Sequence, residues 1–86
     1  MNSSEAIKKV IESLVLPKYP EITKVVIDSD SYYGRHYYRI YLGMKYEDLE
    51  SVDYGDKLAE DIKDVAKFIM GPDERIEKIA YFDPEN

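Results

Sequence analysis

Ten consecutive residues constrain this chain more than any other segment: Arg35-His36-Tyr37-Tyr38-Arg39-Ile40-Tyr41-Leu42-Gly43-Met44. Successive side chains of a strand point to opposite faces. One face then carries His36, Tyr38, Ile40, Leu42 and Met44, and the other Arg35, Tyr37, Arg39, Tyr41 and Gly43. The first set is mostly aliphatic and belongs under a packed layer. The second interleaves guanidinium and phenol groups and belongs in water or against a polar partner. Such a strand predicts a sheet with one covered face and one open face.

The flanking segments supply the cover. Ile7, Val10, Ile11, Leu14 and Val15 fall on one helical stripe. Asn2 and Glu5 are spaced as a capping box. Pro17 and Pro20 end that helix, and Lys18 and Tyr19 belong to a connector. Residues 22–28 read as a β-branched strand, and residues 29–34 as turn material ending in Gly34, which makes a hairpin with the ten-residue strand. An irregular acidic stretch, residues 45–53, leads to a long helix from Ser51 or Asp53 to Met70 with the stripe Leu58, Ala59, Ile62, Val65, Ala66 and Ile69. Gly71-Pro72 stops it, and residues 75–82 form the last strand.

The order α-β-β-α-β predicts a single α+β domain over residues 1–86, a two-layer αββαβ sandwich. Its three-stranded antiparallel sheet has the order 2-1-3, the first strand in the middle, and both helices on one face. The expected core is Ile7, Val10, Ile11, Leu14, Val25, Ile27, Tyr38, Ile40, Leu42, Leu58, Ile62, Val65 and Ile69. In the last strand Glu77, Ile79 and Tyr81 alternate with Ile76, Lys78, Ala80 and Phe82, and either set fits under the helices.

The uncovered face then presents Lys24, Val26, Asp28, Arg35, Tyr37, Arg39 and Tyr41. Tyr and Arg are enriched at protein interfaces. A two-fold axis that sets Arg39 of one copy against Asp28 of another makes the patch self-complementary, so a homodimer is expected. Single strands of nucleic acid stack on aromatic sheet faces as well. Two facts weigh against that: the chain has 12 basic and 18 acidic residues, a net charge of −6, and this face shows few cations.

Little else suggests chemistry. There is no cysteine, which excludes disulfides and thiolate sites, and His36 has no nucleophile constellation beside it, although Asp28 or Asp30 stands within reach as an orienting partner. No catalytic residue and no cofactor is expected. Residues 1–44 carry 6 basic and 5 acidic side chains, residues 45–86 carry 6 and 13. The carboxylates of residues 47–56 match no calcium loop and suit a helix start, with Asp53 and Asp56 as candidate ligands for a divalent-metal sensor. No Gly-x-x-Gly or phosphate-cradling loop occurs. No apolar run is long enough to span a bilayer, and there is no secretory signal peptide, so the expected address is the cytoplasm.

The pattern resembles the cytoplasmic domain of cation diffusion facilitator transporters. The shared marks are the connector Leu16-Pro17-Lys18-Tyr19-Pro20-Glu21-Ile22, Gly34 after the first hairpin strand, Ser51-Val52 near the second helix start, and Asp83-Pro84 after the last strand. The similarity spans residues 5–84. It implies a dimerising domain of like fold. The family's metal histidines fall where this chain has Asp56 and Tyr81, so zinc ligation is not carried over, and without a transmembrane segment neither is transport.

Overall fold

A computed structural model describes residues 3–51, 53–54 and 56–85 of the chain. Helix α1 (Ser4–Val10) runs into a π-helical turn (Ile11–Val15) and a 3₁₀ turn (Leu16–Lys18). Strands β1 (Lys24–Tyr32) and β2 (Arg35–Gly43) follow, then the short helix α2 (Tyr46–Ser51), helix α3 (Lys57–Ala66) and strand β3 (Glu74–Phe82). The expected cap, Asn2, lies outside the described residues, as do Val52 and Gly55. Ser3 takes the N-cap position, and its hydroxyl donates to Glu74 Oε1 at 3.1 Å.

The α+β class and the three strands are as expected, but the sheet order is not. It is β1-β2-β3, with β2 in the middle, antiparallel to β1 and parallel to β3. The reason lies in what each strand can bury. β2 places Tyr38, Ile40 and Leu42 at 0% exposure. β1 carries Asp28-Ser29-Asp30-Ser31, polar residues that suit a sheet edge. The long connection through α2 and α3 lets β3 return beside β2 in the same direction, which needs a dozen residues or more.

The first helix departs from the predicted stripe through its π turn. Ile7, Ile11, Val15 and Tyr19 are all buried, four residues apart. That spacing overshoots an α-helical turn of about 3.6 residues, and an underwound π turn recovers the overshoot. Val15 therefore enters the core, while Leu14, expected there, stands 58% exposed. Val10, Ile27, Val65 and Ile69 are only half-buried, whereas Tyr19, Ile22, Met44 and Ala66 join the core beyond expectation.

The acidic stretch also folds further than expected. Residues 46–51 form α2, and the first helical amide, Tyr46 N–H, donates to Asp83 Oδ2 at 3.1 Å. A carboxylate from the far end of the chain thus stabilises that helix start. The hairpin is tighter than predicted: β1 extends through Tyr32, and only Tyr33 and Gly34 turn. Both have positive φ, 53° and 74°, the signature of a type I′ turn.

β3 settles the open question of its faces by using neither alternation. Tyr38 pairs with Ile76 and Arg39 with Lys78, so Glu77 is an extra residue in a bulge. The bulge changes phase in mid-strand. Ile76 and Ile79 both pack on the core, and Lys78, Ala80 and Phe82 pair with Arg39, Tyr41 and Gly43 on the other side.

Candidate binding face

The sheet face without helices is built by three registers. On β2 it holds Arg35, Tyr37, Arg39, Tyr41 and Gly43. Opposite them on β1 stand Tyr32, Asp30, Asp28, Val26 and Lys24. β3 adds Arg75 beside Tyr37, Lys78 beside Arg39, Ala80 beside Tyr41 and Phe82 beside Gly43. The seven residues expected on this face are all brought together there. The β3 residues are the part that the sequence left undecided.

Charge on the face is concentrated at one arginine. Arg39 donates Nε and Nη2 to Asp28 Oδ2 at 3.1 and 2.8 Å, and Nη1 to Glu77 Oε2 at 2.9 Å. Asp30 lies 3.8 Å from Nη1. Arg39 and Asp28 are therefore partners within one chain, not across two copies as the sequence suggested. Register pairs the two residues directly, which makes the intramolecular bond the shorter path. The Asp28 carboxyl is held below its ordinary range, chiefly by the hydrogen bond from Arg39. Arg39 is pushed up by its bonds to Asp28 and Glu77. Among the described residues Lys24, Arg35, Arg75 and Lys78 make no ion pair. Arg75 donates Nη1 to the carbonyls of Pro72 and Glu74, and Lys78 Nζ sits 5.4 Å from the centre of the Tyr41 ring.

Aromatic rings fill the rest. Tyr32 and Tyr37 stack at 4.6 Å with 14° between planes. Val26, Tyr41 and Phe82 line a shallow apolar hollow of about 280 Å³. Gly43 leaves room for the Phe82 ring: a Cβ there would lie 3.4 Å from Phe82 Cζ and 3.0 Å from Lys24 Cβ. At the hairpin tip Tyr33 is 97% exposed.

The other candidates separate from one another. His36 is on the helix side of β2, so Asp28 and Asp30, which share the opposite face with Tyr37 and Arg39, cannot orient it. It borders a small hollow with Gly71, Pro72, Asp73 and Glu74. Asp53 and Asp56 are exposed, and among the described residues no three potential ligands gather as a metal site.

Two tyrosine–carboxylate contacts tie the helical layer down. Tyr19 Oη donates to Asp61 Oδ2 at 2.6 Å, and Tyr54 Oη donates to Glu21. The two rings meet edge to face at 4.8 Å. Burial first, then the bond to Asp61, pushes the Tyr19 phenol up to about 12. A third contact joins Tyr38 Oη to Glu74, while Ser3 N–H donates to the same Oη at 2.9 Å. Burial alone would raise the Glu74 carboxyl. Donors from Tyr38, the Gly71 amide and Ser3 outweigh it and hold the group below its ordinary range.

No family model, curated protein or solved structure matches this chain. Among the described residues no helix is long and apolar enough to cross a membrane.

Proposed function

We propose that the chain is a small non-catalytic binding module, that its working surface is the helix-free sheet face, and that its partner is anionic. The observation that carries this reading is a charge asymmetry. The face holds five cations and three carboxylates, with the three carboxylates gathered around Arg39. The rest of the chain is left with seven cations and fifteen carboxylates. A face of the opposite sign to its protein steers an oppositely charged partner onto one side.

Heparin, a soluble polyanion, tests the charge. The acidic protein is expected to be retained on immobilised heparin at low salt and to elute as salt rises. Lys24→Gln/Arg35→Gln/Lys78→Gln is expected to pass through. Lys8→Gln/Lys57→Gln/Lys63→Gln, which removes as many charges elsewhere, is expected to stay bound. Passage of the wild type, or equal loss from both triple variants, would refute the reading.

A homodimer through the same face is the second reading, favoured by the apolar hollow at Val26, Tyr41 and Phe82. It has to bring unpaired cations toward their own copies, which places it second. A specific dimer buries about 1,200–2,000 Å² in total. Sedimentation of the wild type and of Tyr37→Glu/Tyr41→Glu at micromolar concentration decides it: a dimer dispersed by the two charges supports it, and a wild-type monomer removes it.

A further inference from the structure

We propose that the helix-free face binds single-stranded nucleic acid, its bases on the rings of β2 and β3 and its phosphates on the cations at the two ends. This rests on the reading of that face as an anion-binding surface and names the anion. Two independent arrangements point the same way.

The first is the placement of free charge. Arg39 takes up Asp28 and Glu77 in the middle of the face. Four cations on the face make no ion pair among the described residues: Arg35 and Arg75 lie toward the hairpin tip, Lys24 lies at the apolar end, and Lys78 stands beside Arg39 with its Nζ over the Tyr41 ring. A chain of regularly spaced anions laid along β2 meets cations at both ends. Guanidinium groups also grip phosphate with two bonds at once.

The second is the row of rings. Tyr37 and Tyr41 lie four residues apart on β2, about 13 Å along the strand at the usual rise. Phe82 continues the row on β3 past Tyr41, paired with Gly43 and sharing the apolar hollow with Tyr41. An acidic peptide would use the cations and leave the rings without a role. A single strand uses both, because unpaired bases offer flat faces to aromatic side chains. A duplex hides those faces, and a flat sheet face cannot enter its grooves as a helix or a ribbon does.

The chain's net charge of −6 argued against nucleic acid when only sequence was in view. The carboxylates responsible lie mostly off this face, and the bulge at Glu77 brings Lys78 onto it, beyond what the sequence showed.

Fluorescence anisotropy tests the proposal, with fluorescein-labelled single-stranded DNA and RNA of about ten nucleotides, the matching duplex, and poly-L-glutamate as competitor. Saturable binding to either single strand is expected, with log Kd rising linearly in log salt and a slope near 3 for four phosphate contacts. Arg35→Gln/Arg75→Gln, which touches no core side chain, is expected to halve that slope. Tyr37→Leu/Tyr41→Leu, checked for native circular dichroism, is expected to weaken binding about fivefold or more per ring at unchanged slope. Absence of saturable binding at low salt would overturn the proposal. So would duplex or poly-L-glutamate binding as tightly as the single strand, or wild-type affinity in both double variants. Retention on heparin together with any of these results leaves the anion-binding face standing and removes the nucleic acid.

Discussion

Replacing Tyr33 by Asn should stabilise the protein although it removes an aromatic side chain. Tyr33 occupies the first central position of the type I′ turn with φ of 53°, followed by Gly34 with φ of 74°. Left-handed backbone costs an ordinary L residue about 1–2 kcal/mol, while Asn tolerates it, and Asn-Gly is the preferred pair for this turn. Against that gain stands one contact, the edge-to-face approach of Tyr33 to Tyr32 at 6.1 Å. With Tyr33 97% exposed, the loss is at the low end for an aromatic pair, about 0.5 kcal/mol. The net expectation for Tyr33→Asn is a gain of about 0.5–1 kcal/mol. For a chain of this size that raises the melting temperature by roughly 2–8 °C. Tyr33→Val, with a branched Cβ in the same backbone, is expected to lose about 1 kcal/mol. Urea unfolding followed by far-ultraviolet circular dichroism measures both. An Asn variant no more stable than wild type, or a Val variant equal to it, would refute the strained-turn argument.

Three further outcomes follow from the fold. Val15→Ala should cost about 2 kcal/mol and Leu14→Ala less than about 0.5, because the π turn buries the first and exposes the second; chemical denaturation with the order reversed would restore a regular α-helix. Glu74 has a carboxyl pKa held down by its donors, so its contribution is full above the unfolded value and is lost as pH falls through the lower folded value. Glu74→Gln should flatten the acid limb of a stability–pH curve, and an unchanged limb would show that the Tyr38–Glu74–Ser3 contact contributes nothing there. Amide exchange should be slowest across residues 36–42, paired on both sides, and faster in the edge strand at 28–32; slowest exchange at 24–28 would put β1 back in the centre.

The parts of this fold that periodicity controls were legible, and the parts that depend on contacts distant in sequence were not. Alternation along residues 35–44 sorted Tyr38, Ile40 and Leu42 from Arg35, Tyr37, Arg39 and Tyr41, and the helix-free face follows from that sorting alone. Strand order was not legible, since hydrophobic pattern assigns faces but not neighbours; the polar run Asp28–Ser31 was the clue that β1 belongs at an edge. α2 was hidden because Asp83, which binds its first amide, is 37 residues away. Leu14 was misplaced because a π turn rotates the stripe without changing the residues that form it. The candidate face was seen with two strands of three. Its third strand waited on Glu77, a residue with no pattern of its own.

That residue has a genealogical consequence. Without Glu77, β3 would read Ile76, Lys78, Ile79, Ala80, Tyr81, Phe82, an unbroken alternation in which every side chain keeps its present side. Length variation among descendants of this chain should therefore concentrate at position 77. A one-residue deletion there leaves the covered and open surfaces intact and costs Arg39 one of its carboxylates. Deletion of Lys78 removes the bulge as well but sets Glu77 opposite Arg39 and takes a cation off the open face, and deletion of Ile79 would turn Lys78 to the other side. A chain shorter by one residue at this point is the cousin that the fold accepts.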